Sequence, residues 1–133
     1  MENYDPRDVN VIVDGKYLTG FAEGTFVSAE KDEENYTVYV GAKGEVSRAR
    51  NANPLGTITV TLKNTSPSNA IMNALAKSKD LFGVQVIDAN SNTKKAGGSE
   101  AWLEKPSNIS WGDEIETLEW VIKVADYSSD IQG

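Results

Sequence analysis

The residues best suited to chemistry in this chain of 133 amino acids carry carboxylates and amides. Asp88, Asn90 and Asn92 have the spacing that opens a calcium-binding loop, but such a loop needs glycine at its sixth position and glutamate at its twelfth. Those positions hold Thr93 and Ser99. The segment is therefore predicted to be a β-turn and not a metal site.

A second group of carboxylates lies at Glu23 and in the acidic run 30–34. A carboxylate pair can hydrolyse glycosides, but that requires a set separation, which this run does not define. The chain has no histidine and no cysteine, which removes the commonest general base, thiol nucleophiles, disulfides and the usual zinc ligands. We therefore predict that the protein is not an enzyme and binds no cofactor or metal.

The overall charge is acidic, with 20 Asp and Glu against 13 Lys and Arg, a net charge of −7 and a pI near 4.6. Stable binding to a phosphate backbone needs clustered cations that displace counterions, so this balance disfavours nucleic-acid binding. An acidic surface favours solubility, and it also suits a conduit through which DNA slides without sticking.

No apolar run approaches the ~20 residues that span a bilayer, and 39% hydrophobic with 25% charged residues is typical of a soluble globular protein. The polar, acidic residues 1–8 lack the basic and apolar regions of a secretory signal. We therefore expect synthesis in the cytoplasm and no membrane partner.

One segment, residues 41–56, differs from the rest because Lys43, Arg48 and Arg50 concentrate positive charge in an acidic protein, beside Asn51 and Asn53. Two interpretations remain open. The segment is either a solvated hairpin arm or a subunit contact whose cations meet carboxylates of a neighbour and fix its register.

Alternating apolar and polar residues predict several short strands. Asp14-Gly15 favours the positive φ angles of a type I′ turn, so the strands on either side are predicted to form a β-hairpin. The clearest strand is 57–63, with apolar side chains on one face and threonines on the other. Further strands are predicted at 9–13, 16–19, 24–29, 36–40, 82–87, 94–104 and 117–124.

One helix is predicted after Ser66-Pro67, because serine is a good N-cap and proline is tolerated in the first turn. Its apolar stripe is Ile71, Met72 and Leu75, and about three turns are expected.

These elements predict a mainly β protein with two packed antiparallel sheets, arranged as a sandwich or barrel, and one flanking α-helix. We expect a single domain over residues 1–133, with a flexible polar tail at 126–133.

Several short motifs occur in an order that is more specific than any one of them. They are Tyr4-Asp-Pro-Arg-Asp-Val9, Leu18-Thr-Gly-Phe-Ala22, Gly41-x-x-Gly44-Glu-Val with Arg48 and Asn51, Gly56-Thr-Ile-Thr-Val-Thr-Leu62, Thr65-Ser-Pro-Ser-Asn69 and Trp102-Leu-Glu-Lys-Pro106. Taken in this order over nearly the whole chain, they resemble the bacteriophage tail tube proteins, a family of small phage structural proteins.

The resemblance implies the tail tube fold, which type VI secretion tube proteins share. Six copies would close into a ring through sheet pairing between subunits, and rings would stack around a central channel for DNA. The implied partners are further copies, a tape-measure protein and, in a contractile tail, a sheath protein. DNA would be present only in transit, and the implied location is the virion tail.

In such tubes the loop between two early strands reaches toward the next ring. The resemblance therefore implies inter-ring contacts by Lys43, Glu45, Arg48, Arg50, Asn51 and Asn53. It also implies a polar face toward the channel, for which the candidates are Thr57, Thr59, Thr61 and Lys63.

A second hypothesis is a monomeric carbohydrate-binding or adhesin-like β-sandwich. In it Trp102, Trp111, Trp120 and exposed tyrosines would stack on sugar rings. The alternation of strand 117–124 places Trp120 with core residues, which argues against this hypothesis.

Overall fold

The computed structural model describes residues 5–90, 94–112 and 116–131, which contain ten β-strands, one α-helix and a 3₁₀ turn at Pro6–Asp8. The helix α1 is Ser68–Lys77. The strands are β1 (Val9–Val13), β2 (Lys16–Tyr17), β3 (Val27–Lys31), β4 (Tyr36–Val40), β5 (Val46–Arg50), β6 (Gly56–Lys63), β7 (Phe82–Asp88), β8 (Lys94–Leu103), β9 (Thr117–Val124) and β10 (Ser128–Ile131).

Eight of these strands form one antiparallel sheet in the order β2-β1-β7-β8-β9-β6-β3, with β10 also beside β8. Strand β8 belongs to both halves of this sheet, because residues 94–97 pair with β10 and residues 101–103 pair with β9. Strands β4 and β5 form a separate two-stranded sheet. The predicted mainly β fold with two antiparallel sheets and one helix is confirmed, although the two sheets differ greatly in size.

The segment that follows the first hairpin connects the next-to-last strands at the two ends of the large sheet. Asp14 and Gly15 have φ angles of 51° and 76°, as the predicted type I′ turn requires. The Leu18 N–H then bonds to β1, whereas the carbonyl of Gly20 accepts from Lys63 of β6 at 2.9 Å. The segment therefore crosses from β1 at one side of the sheet to β6 at the other.

Alternate residues of five strands point into a single core. In β6, for example, Ile58, Val60 and Leu62 are fully buried while the threonines between them are half-buried. Met72 of α1 is also fully buried, so the helix covers this core. The buried cluster is Val11, Val13, Leu18, Ile58, Val60, Leu62, Met72, Phe82, Val84, Ala101, Leu103, Trp120, Ile122 and Val124.

The helix begins two residues after the predicted N-cap serine. Pro67 is the N-cap residue, and the Ser66 hydroxyl accepts from the Ser68 N–H at 3.1 Å while donating to the Thr19 carbonyl at 2.5 Å. The Thr19 N–H in turn donates to the Ser68 hydroxyl at 2.9 Å. These serines therefore attach the start of α1 to the crossing segment. The predicted N-cap, in contrast, would bond only to backbone groups of the helix itself.

The end of the chain differs from the flexible tail that was expected at 126–133. Residues 128–131 form β10, which pairs with residues 94–97 of β8, and the ring of Tyr127 packs against the core. A polar segment with few apolar side chains gives no sign of this, because the pairing depends on backbone groups of a distant strand. Residues 132–133 lie outside the described residues, as do residues 91–93 of the predicted turn after Asp88.

Candidate assembly surfaces

The segment predicted as a basic arm forms the β4–β5 hairpin, and "the arm" below means residues 36–50. It extends the pairing of β3 with β6, since the Asp32 N–H donates to the Leu55 carbonyl at 3.0 Å and the Asn51 N–H donates to the Asn35 carbonyl at 2.7 Å. Among the described residues, β4 and β5 have no other strand neighbour. The arm is thus the distal part of one long hairpin.

The tip of the arm is the turn 41–45, which holds two of the predicted contact residues, Lys43 and Glu45. The Gly41 N–H donates to the Glu45 carbonyl at 2.7 Å, and Gly44 has a φ of 87° that favours glycine. Both charged side chains are exposed.

The register of the arm sorts its side chains into two faces. The pairs Tyr36–Arg50, Val38–Arg48 and Val40–Val46 share one face, which we call the valine face. The opposite face consists of the pairs Thr37–Ala49 and Tyr39–Ser47.

The valine face is apolar toward the tip and basic toward the base, and all of it is exposed. Val38, Val40 and Val46 are 62%, 68% and 70% exposed. The Arg48 guanidinium carbon lies 4.3 Å from the centre of the Tyr36 ring, which is cation–π geometry. Alternation along a strand is enough to place Tyr36, Val38 and Val40 on one face, but only the structure shows that this face has no cover among the described residues.

The two asparagines predicted as contact residues fold the base of the arm. The Asn51 amide donates to the Glu33 carboxylate at 2.5 Å, and its carbonyl oxygen accepts from the Asn53 N–H at 3.0 Å. The Asn53 carbonyl oxygen accepts from the Leu55 N–H, also at 3.0 Å. Both side chains are half-buried and have partners within the chain.

The predicted channel-facing residues lie together on the outer face of β6. Thr57, Thr59 and Thr61 are half-buried, and Lys63 is exposed. On the same face their partners across the β6–β9 ladder are Lys123, Val121, Glu119 and Thr117. We call this surface the threonine face.

One charged group on the threonine face is held in a hydrogen-bonded network. Lys123 lies 3.1 Å from the Asp32 carboxylate and donates to the Thr57 hydroxyl at 2.9 Å. The Thr57 hydroxyl donates to Asp32, and this bond, followed by that from Lys123, holds the pKa of the Asp32 carboxyl below its usual value. The cation at Lys123 is therefore neutralised within the chain.

The structure gives the other candidate sites structural roles. Asp88 accepts from the Asn90 N–H at 2.9 Å, and the Asn90 amide also bonds to the backbone of Asp5, so the turn secures the start of the described chain. Among the described residues no group of three or more Asp and Glu could hold a metal ion. Within the same residues, no helix has the length and apolarity to cross a bilayer.

The tryptophans named in the carbohydrate hypothesis do not form a platform. Trp120 is 3% exposed, and its indole N–H donates to Asn69 at 3.0 Å. Trp102 is half-buried on β8, whereas Trp111 is 86% exposed in the loop that follows. The core position of Trp120 agrees with the strand alternation.

The fold is shared with chains in structures of contractile injection systems and of the anti-feeding prophage cap. A chain in the structure of the PVC sheath/tube terminator, from an extracellular contractile injection system in the extended state, gives a TM-score of 0.60 at 11% identity, over 98% of each chain. A chain of the PVC sheath-tube complex gives 0.58 at 12% identity, over 97% of this chain and 92% of that one. A chain in the structure of the anti-feeding prophage cap, described as a tube-terminating cap, gives 0.58 at 10% identity, over 98% of this chain and 93% of that one.

Comparison of sequences identifies the family more specifically than the likeness of fold does. Residues 12–131 match the family of the bacteriophage PhiTE tail tube protein, and the chain belongs to this family. Structural protein ORF10 of Pseudomonas phage KPP10 is 30% identical, over 91% of this chain and 77% of that protein. The predicted resemblance to phage tail tube proteins is confirmed. The chain is a structural protein of the virion tail and not an enzyme.

Proposed function

We propose that this protein is the repeating subunit of a tail tube, in which six copies close into a ring and rings stack around a channel that DNA crosses. The observation that carries the proposal is the arm. A two-stranded hairpin is marginally stable in water unless it packs against something, and this one exposes both of its faces. A second copy would supply the missing surface.

Ring closure by sheet pairing requires two different strand edges on each subunit, and β3 and β2 lie at the two ends of the large sheet. Among the described residues β3 pairs only with β6, so the outer edge of Val27–Lys31 has unpaired backbone groups. Such an edge is a template for pairing with another chain. Pairing around a closed ring would leave no edge exposed.

Contact between rings is assigned to the arm. Lys43 and Glu45 at its tip, with Arg48 and Arg50 on the valine face, would meet residues of the next ring, and complementary charge would fix the register. Asn51 and Asn53 would act at the base, where they hold the arm in its orientation.

The threonine face is assigned to the channel. Its hydroxyl groups and alternating charges offer DNA no cluster of free cations, which is what a passing polyanion requires. Thr57, Thr59, Thr61 and Lys63 would lie along this surface, together with their partners on β9.

The partners that the proposal implies are a tape-measure protein within the channel and, in a contractile tail, a sheath around the tube. The sheath as a partner is supported by the likeness of this fold to a chain from a PVC sheath-tube complex.

Electron microscopy of the purified protein tests the proposal. We expect rings and tubes with a central channel in negative stain, and six-fold symmetry in class averages of end views. A protein that stays monomeric at high concentration, and is missing from tails of the parent particle, would refute it.

Charge reversal tests the role of the arm. Arg48→Glu with Arg50→Glu should leave a folded subunit, because both side chains are exposed, and should weaken stacking of rings. A matched control is Lys16→Glu with Lys105→Glu, which makes the same change in net charge at exposed positions outside the arm. If both variants form tubes like the original protein, the assignment of the arm is wrong.

A further inference from the structure

We propose that the valine face of the arm is buried against a second copy of this chain, and that its apolar tip contributes more to the contact than the cations do. The proposal rests on the tube function proposed above and specifies the surface that would hold neighbouring copies together. The charges of the arm are evident from the sequence, whereas the exposure of its valines is evident only from the structure.

The first argument is exposure. Val40 and Val46 are directly paired, and Val38 lies two residues along the same face, so their side chains form a continuous apolar patch. Each is more than 60% exposed. A contiguous apolar patch that function does not require would be a liability for a virion protein in free solution.

The second argument is the arrangement of charge around the patch. Interfaces between proteins commonly have an apolar centre with charged groups at the rim. Here Arg48 lies opposite Val38, Arg50 lies further toward the base of the arm, and Lys43 lies at the tip. Arg48 lies over the Tyr36 ring, so its guanidinium is part of the valine face.

The third argument concerns the occupant. The arm carries three cations and one carboxylate, so 10 of the 13 cations and 19 of the 20 carboxylates lie elsewhere in the chain. The body of a second copy is therefore strongly acidic and complementary to the arm. A second copy also provides the apolar cover in every subunit of a repeating assembly.

The test removes the apolar surface and keeps the shape. The valine variant combines three substitutions, Val38→Thr, Val40→Thr and Val46→Thr. Each replaces one methyl group by a hydroxyl of similar size, and threonine retains the strand preference of valine. We expect the concentration at which tubes form to rise about tenfold or more, because three groups would each lose apolar burial. Circular dichroism should find the subunit folded.

Salt separates the apolar contribution from that of charge. At 1 M ionic strength the screening length is about 3 Å, which suppresses contacts between exposed ions. Tubes of the original protein should persist in 1 M sodium chloride. At this salt concentration, the Arg48→Glu, Arg50→Glu variant should show a smaller rise in the concentration at which tubes form than the valine variant does.

The matched control is Thr37→Ser with Ala49→Ser on the opposite face, which should assemble at the original concentration. Equal assembly of the valine variant and the original protein would overturn this inference while leaving the tube function intact. If the original protein forms no tubes at all, the proposed function itself fails, so the two failures are distinguishable. A valine variant that assembles normally but no longer recruits a different tail protein would assign the face to that partner and also overturn the inference.

Discussion

Asp126 holds Ser99 twice, accepting from its backbone N–H at 3.0 Å and from its hydroxyl at 2.6 Å. The Glu100 N–H donates to the same carboxylate at 3.0 Å. Ser99 and Glu100 form the bulge in the β7–β8 pairing, at which β8 passes from one half of the large sheet to the other, and Asp126 binds this bulge from outside the strand. Three donors lower the pKa of Asp126 to about 2, led by the Ser99 hydroxyl.

Replacing Asp126 should weaken the subunit in a manner that depends on pH. Asp126→Asn keeps the size but loses the charged acceptor, and we expect the free energy of unfolding to fall by about 1 kcal/mol at neutral pH, since the site is exposed. Because the folded pKa is depressed, the stabilisation by Asp126 is present above about pH 4 and is lost as pH falls toward 2. Urea unfolding at several pH values measures both effects.

Asp80→Asn makes the same change of charge at an exposed position outside the bulge. It should change the free energy of unfolding by less than about 0.5 kcal/mol. A difference between Asp126→Asn and the original protein that stays constant from pH 7 to pH 2 would contradict the role given to the carboxylate.

Two glycines on facing strands should differ sharply in their tolerance of alanine. Gly97 has a φ of 148°, and an added Cβ would overlap the carbonyl oxygen of Val84 in β7. Gly97→Ala should reduce the free energy of unfolding by roughly 3 kcal/mol or more, because overlap with backbone adds to conformational strain. At Gly83 the nearest atom to such a Cβ is 3.8 Å away, so Gly83→Ala should cost less than about 1 kcal/mol. Thermal unfolding compares the two, and similar melting temperatures would refute the close approach of Gly97 to the Val84 carbonyl.

The hydrogen bond from Trp120 to Asn69 should be needed for stability. Asn69 also donates to the Lys63 carbonyl at 2.8 Å. Asn69→Ala therefore removes the hydrogen-bond partner of this carbonyl and that of the buried Trp120 indole N–H. We expect a loss of about 1–3 kcal/mol in the free energy of unfolding and a changed near-ultraviolet signal from Trp120. Asn73→Ala, on the same helix, is the control and should have little effect. If the midpoint of urea unfolding is the same for Asn69→Ala and the original protein, the hydrogen bond to Asn69 is not needed and water takes its place at the indole N–H.

The network of Asp32 predicts how the threonine face behaves toward polyanions. Asp32→Asn removes the charge that neutralises Lys123, and in an assembled tube every subunit would then present one more free cation to the channel. We expect tubes of this variant to retain fluorescent DNA more strongly at low salt, with Lys123→Gln in the same chain reversing the effect. Identical retention by tubes of the original protein and of Asp32→Asn would place this face away from the channel.

Local patterns were enough to predict much of the fold. The Asp14-Gly15 turn and the alternation of 57–63 depend on neighbours in sequence, and both occur as predicted. The role of Ser66 and the existence of β10 were not predictable in this way. Each depends on a partner many residues distant, Thr19 in one case and β8 in the other.

The candidate site was predictable in its charges but not in its apolar part. Arg48 and Arg50 were conspicuous because cations are scarce in this chain. By contrast, the alternation of Tyr36, Val38 and Val40 is the same as in a strand that packs on a core. Whether such a face is covered depends on the rest of the fold, and no local pattern contains that information.

The arm also gives the proposed assembly a direction. A contact in which the arm of one copy meets a different surface on the next is heterologous, so every ring would point the same way along the axis. One end of such a tube would present uncovered valine faces, and the other would present empty receiving surfaces. The two ends would therefore have different chemistry, and the proteins that start and finish the tube would need different binding surfaces to recognise them.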